Sequence, residues 1–104
     1  MLTLRITKQY DCKGKWYILS LENKDNIIKE VDICVEQCIW DKRDVKTTIK
    51  NYIRRFTEKY NGWLIIKDES RGAWKYIEHL VPAYHDNNGV YVKPRTSRVK
   101  GEIC

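Results

Sequence analysis

Alternation opens the chain: Leu2, Leu4 and Ile6 are separated by Thr3, Arg5 and Thr7, the period of two that lays one face of a strand on a core. Asp11-Cys12-Lys13-Gly14-Lys15 supplies turn chemistry, with Gly14 free to take positive φ. Trp16 to Leu21 is rich in aromatic and branched residues, as a second strand would be. The two make an N-terminal β-hairpin. Asn23-Lys24-Asp25-Asn26 reads as another polar turn, and within Ile27 to Trp40 the residues Val31, Ile33 and Val35 alternate with Asp32, Cys34 and Glu36. A third antiparallel strand, completing a meander, is expected over that stretch.

After Trp40 the period changes. Asp41 or Asp44 can cap a helix with its carboxylate, and Val45, Ile49, Tyr52, Ile53, Phe56 and Tyr60 then form one apolar stripe. Asn61-Gly62 ends it, because Gly takes the left-handed conformation that stops helices. Trp63 to Lys67 reads as a fourth strand and Asp68-Glu69-Ser70-Arg71-Gly72 as a turn. Ala73 to Val81 fits two periods: Trp74, Tyr76 and Leu80 suit a strand face, Trp74, Ile77 and Val81 a helix, and the hairpin context assigns a strand. Pro82 has no amide to donate and belongs at an edge or end. His85 to Gly89 is a loop or hairpin turn before the strand Val90-Tyr91-Val92. The expected architecture is α+β, a twisted antiparallel sheet of about five or six strands with one long helix packed across it, or an incomplete barrel as a variant. Residues 1–93 form the single domain and residues 94–104 a flexible basic tail, in which Val99 and Ile103 are the apolar residues after Pro94.

Composition narrows the class. With 104 residues, 42% hydrophobic and 33% charged, the chain suits one soluble globular domain. No apolar run approaches the roughly 18 residues of a spanning helix, and the N-terminus lacks the order of a signal peptide. An intracellular, cytoplasmic protein without a membrane partner is expected. There are 20 Lys and Arg against 14 Asp and Glu, a net charge of +6. The excess concentrates in residues 41–60, with seven basic and three acidic side chains, and in residues 93–104, with four and one. A basic balance permits attraction to phosphate or an acidic protein face and argues against a nucleic-acid mimic, which must be strongly acidic.

That distribution points to candidate contacts. Arg43, Lys46, Lys50 and Arg54 occupy one flank of the helical stripe, and the last three lie in a row at about 6 Å per step. Such a row can track a phosphate backbone with salt-sensitive affinity, or its long stems can simply cover apolar surface. In the tail, Lys93, Arg95, Arg98 and Lys100 form a second basic group able to order on phosphate. Four Trp and seven Tyr stand against one Phe, a bias toward rings with a polar tip. Trp16, Tyr17, Trp74 and Tyr91 are the candidate partner contacts, by stacking on single-stranded bases or as hot spots for a protein.

Catalytic and metal chemistry find little support. Cys34 and Cys38, separated by three residues, with His79 and His85, have ligand types that zinc prefers. His79 and His85, however, flank Pro82 and a turn. No metal or cofactor is expected, and on a strand the two cysteines would have Cα atoms about 13 Å apart, too far for a disulfide. Glu78-His79-Leu80-Val81-Pro82, with His85 and Asn87-Asn88-Gly89, resembles the start of an HNH-type nuclease. Val90-Tyr91-Val92 nevertheless reads as a strand where that family has a helix. Asp68 and Glu69 with Lys67 and Lys75 offer the parts of a metal-dependent nuclease, but adjacent acids on a turn point apart. No catalytic residue is assigned. The expectation is a small non-enzymatic binding protein that takes nucleic acid through the helix flank and tail. The alternative is an inhibitor or adaptor of the phage or mobile-element type that contacts a host protein directly, and a sheet edge also leaves a homodimer open.

Overall fold

A computed structural model of the protein describes residues 2–60, 63–87 and 89–92. In it the N-terminal alternation becomes β1 (Leu2–Asp11) and β2 (Gly14–Asn23), paired antiparallel with Asp11 opposite Gly14. The Asp11 carboxylate accepts from the Lys13 amide at 2.8 Å, and Gly14 sits at φ 125°. A side-chain carbon at Gly14 would meet only the carboxylate end of Glu36, which can shift, so it is the positive φ that requires glycine there.

β3 (Asn26–Cys34) completes the meander, with a bulge opposite Leu21 and Glu22. It does not run to Trp40. Cys34 is the N-cap of a short helix, α1 (Val35–Trp40), which buries Cys38 and turns Ile39 and Trp40 outward. Six residues are under two helical turns, too few for a helical period to stand out from the alternation that precedes it.

α2 (Val45–Lys59) begins where the pattern places it, with Asp44 Oδ2 accepting from the Thr47 amide at 3.2 Å and from the Thr47 hydroxyl at 2.7 Å. Its buried residues include Val45, Ile49, Ile53 and Phe56. Asn61 and Gly62, expected to end it, lie outside the described residues. β4 (Leu64–Asp68) pairs in parallel with β1, Leu2 opposite Leu64 and Ile6 opposite Asp68. The sheet is therefore mixed, not antiparallel throughout. The reason is the crossover: α2 returns the chain to the end of the sheet where β1 starts, so the next strand runs the same way.

The expected strand over residues 73–81 is instead α3 (Ala73–Ile77) followed by a 3-10 turn over Glu78–Leu80. Asp68 decides this. Its carboxylate accepts from the amides of Ser70 (2.9 Å), Gly72 (3.2 Å) and Trp74 (2.7 Å) and from the Ser70 hydroxyl, whose oxygen in turn accepts from the Ala73 amide at 3.0 Å. The backbone is thereby folded into a helical start, and Ala73, Trp74 and Ile77 are buried together. Pro82 directly precedes β5 (Ala83–Asp86), which pairs with β6 (Gly89–Val92).

The strand order is β3-β2-β1-β4-β6-β5, an open six-stranded mixed sheet. Where one long helix is expected, the described residues form three α-helices of six, fifteen and five residues. The core lies between α2, α3 and one sheet face, with Leu4, Ile6, Leu19, Leu21 and Ile33 packed with Ile49, Ile53, Phe56 and Ile77. The other face carries Arg5, bonded to Glu22 at 3.0 and 3.2 Å and also to Glu69. Among the described residues no helix is long and apolar enough to cross a membrane.

Candidate functional site

β1 and β4 run side by side only as far as Ile6 and Asp68. Beyond that point β1 continues to Asp11 and turns into β2 on one side, while the chain leaving β4 passes through α3 to β5 and β6 on the other. Divergence at the carboxyl ends of two parallel strands opens a crevice, and such switch points are where open sheets accept ligands.

The crevice here is a cleft of about 330 Å³. Val45 and Ala73 line it with Tyr17, while Lys8, Lys15, Arg71 and Tyr76 bring it charge and a second ring. The register of β1 and β2 sets Lys8 opposite Tyr17 and Tyr10 opposite Lys15. Lysines and rings therefore alternate across the hairpin. Lys8 Nζ stands 5.9 Å from the Tyr10 ring centre, Lys15 Nζ 5.1 Å from Tyr17, and Lys46 Nζ, reaching over from α2, 5.1 Å from Tyr76. Hydrogen bonding with Tyr17 raises the Lys15 pKa despite partial desolvation, with smaller contributions from Tyr10 and Tyr76, so its ammonium stays charged. Arg71 is held at φ 63°, a left-handed conformation unusual for Arg, by the turn that Asp68 organises.

No carboxylate lines the cleft. Of the two acids just before Arg71, Glu69 is bonded to Arg5 and Asp68 faces the amides described above. Tyr10 and Tyr76 remain 68% and 42% exposed, which leaves ring surface available to a ligand. The arrangement presents four cations and two accessible rings, a combination suited to phosphate and a flat base.

The residues singled out from the sequence are dispersed. Tyr17 lines the cleft and Lys46 stands beside it over Tyr76. Lys50 and Arg54 are half-buried along α2, and Arg54 Nε is buried without a partner among the described residues, so the row is not an exposed rail. Arg43 is separated from it, paired with Asp41 at 3.2 Å beside a second groove that also contains Trp16 and Trp40. Trp16 donates from Nε1 to Asp11 at 2.9 Å, which lowers the Asp11 pKa. Trp74 is no surface contact: it is 6% exposed and packs near His85, ring centres 6.4 Å apart. Tyr91 pairs with Tyr84 at 6.1 Å, away from the cleft. Lys93, Arg95, Arg98 and Lys100 lie outside the described residues. Val92, the last described residue, is level with Leu64 and so at the opposite end of β4 from the cleft.

Lys8, Tyr10, Lys15, Arg71 and Tyr76 escape a reading based on segment charge. A signal was present in Lys8-Gln9-Tyr10 and Lys15-Trp16-Tyr17, two Lys-x-Tyr triplets flanking a turn, which antiparallel pairing must bring together. The cysteines are also relocated. Cys34 and Cys38 stand at the N-cap and inside α1, not on one strand, and both line the second groove with free thiols. His79 lies in the 3-10 turn and His85 on β5, so no nuclease-like hairpin carries them both. Among the described residues no group of three His, Cys, Asp or Glu side chains is placed to hold a metal. Compared with protein-family models, curated proteins and solved structures, the chain finds no match.

Proposed function

We propose that the protein binds nucleic acid, with single strands preferred, and does no chemistry on it. The observation that carries this reading is the cleft at the end of β1 and β4, where Lys8, Lys15, Arg71 and Tyr76 form a lining without an acid and Lys46 and Tyr10 stand beside it, over Tyr76 and under Lys8. Each phosphate held there releases counterions. Each base stacked on a tyrosine contributes about 1 to 3 kcal/mol. Stacking requires a base whose face is free, which a duplex withholds, so the preference for single strands follows from the rings. The free thiols of Cys12, Cys34 and Cys38 fit a reducing cytoplasm.

The test is fluorescence anisotropy with single-stranded oligonucleotides over a salt series, comparing the native protein with the Lys8→Gln, Lys15→Gln, Arg71→Gln triple variant. Undiminished binding by the variant rejects the proposal. A second reading, direct contact with a host protein, is favoured by one observation: Ile39 and Trp40 on α1 are 66% and 83% exposed, the kind of apolar surface a partner covers.

A further inference from the structure

The sheet ends in two edges of different character. β5 has four residues and follows Pro82, so it is a poor template for another strand. β3 has nine residues and no described strand on its outer side. We infer that the outer edge of β3 accepts an extended segment of another protein in which basic residues alternate with apolar ones. This inference is independent of the cleft, which involves other residues.

Two hollows open along the helix side of that edge, with Tyr52 lining both. One, of about 250 Å³, is bounded by Val31, Phe56 and Tyr60. The other, of about 630 Å³, is bounded by Ile33, Cys38 and Trp40. Val31 and Ile33 are alternate residues of β3, about 7 Å apart. An added strand would therefore send successive side chains of one face into one hollow and then the other, the mode by which edge-binding peptides gain specificity. Lys29, Lys59 and Arg55 also line the smaller hollow, the last two lying over Tyr60 at 5.7 Å and Tyr52 at 5.4 Å, and Asp32, Glu36 and Arg43 line the larger, so each hollow offers apolar surface bordered by charge.

Glu30 and Asp32 alternate with Val31 and Ile33 on the same edge, both exposed and without a partner among the described residues, and Asp32 also borders the larger hollow. Directly across from them a new strand gains from Lys or Arg and is penalised by Asp or Glu, because opposite charges attract and like charges repel. The same rule disfavours a second copy paired about the middle of the strand. Antiparallel self-pairing that keeps the pleat must be centred on a residue. Centring on Lys29, Glu30, Val31 or Asp32 sets Lys29 against Lys29, Glu30 against Glu30, Glu30 against Asp32, or Asp32 against Asp32. Charges on an edge are also a common guard against aggregation, but exposed Ile27 and Ile28 at the start of β3 run against a purely defensive role.

The test uses two capped heptapeptides, one alternating lysine with valine and one alternating glutamate with valine, added to the full chain and followed by NMR hydrogen exchange. The lysine peptide is expected to protect the outward amides of residues 29–33, to leave the cleft unchanged, and to bind about fivefold or more tightly than the glutamate peptide. The E30K/D32K variant, changed at two exposed positions, is expected to reverse that preference. Equal binding of both peptides, protection confined elsewhere, or a dimer of the native chain through β3 in sedimentation overturns the inference.

Discussion

Lys46 Nζ lies 5.1 Å from the centre of the Tyr76 ring, joining α2 to α3 beside the cleft. Neither residue is close to Lys8 or Lys15 in sequence, yet all four end on one surface because β4 lies parallel to β1 and delivers α3 beside the hairpin. The contact also positions an exposed ring with a cation on one face, leaving the other for a base.

Charge in the cleft is expected to set both affinity and its salt dependence. Lys8→Gln, Lys15→Gln and Arg71→Gln should each weaken single-stranded binding and reduce the log–log salt slope by about 0.7. Lys67→Gln, an exposed residue on β4 outside the cleft, should leave both nearly unchanged. Anisotropy titrations at several salt concentrations separate the two cases.

The rings are expected to contribute separately from charge. Tyr76→Ala should cost about 1 to 3 kcal/mol of single-strand affinity, while Tyr76→Phe keeps most of it. Duplex affinity should barely change in either variant. Equal losses on single strands and duplexes would show that Tyr76 acts by holding Lys46 and not by stacking.

Asp68 is expected to matter for the fold and, through it, for the site. Asp68→Ala removes the acceptor for the Ser70, Gly72 and Trp74 amides, at a cost of about 2 kcal/mol or more. Urea denaturation measures the loss. Because the same bonds hold the turn at Arg71, nucleic-acid affinity should fall even where the variant remains folded.

Acid is expected to weaken the start of α2. Hydrogen bonding with Thr47 lowers the Asp44 pKa from its ordinary 3.8. A carboxylate with a folded pKa below its unfolded value stabilises at neutral pH, and that stability is lost as pH falls from the ordinary value through the lowered one. Asp44→Asn keeps a capping oxygen but cannot titrate. Its melting temperature should therefore drop less than that of the native protein between neutral pH and the acid range.

Much of the fold is local enough to be legible. Leu4 and Ile6 face the core as their alternation requires, Ile49, Ile53 and Phe56 form the buried stripe of α2, and Asp44 caps it. α1 is too short to declare its period, and residues 73–81 fit two periods until the Asp68 carboxylate selects one.

By itself the sequence determined which residues turn inward along each long element, because hydrophobic burial acts through repeats of two or about 3.6 residues that neighbours alone define. It also contained the paired Lys-x-Tyr triplets of the first hairpin. Only the tertiary structure decided that β4 joins β1 in parallel, that Arg71 and Tyr76 complete the cleft, that Arg43 is separated from Lys46, and that Trp74 belongs to the core. Those outcomes depend on where a crossover helix lands and which strands meet. Contacts between segments distant in the chain govern that choice, and no local period records them.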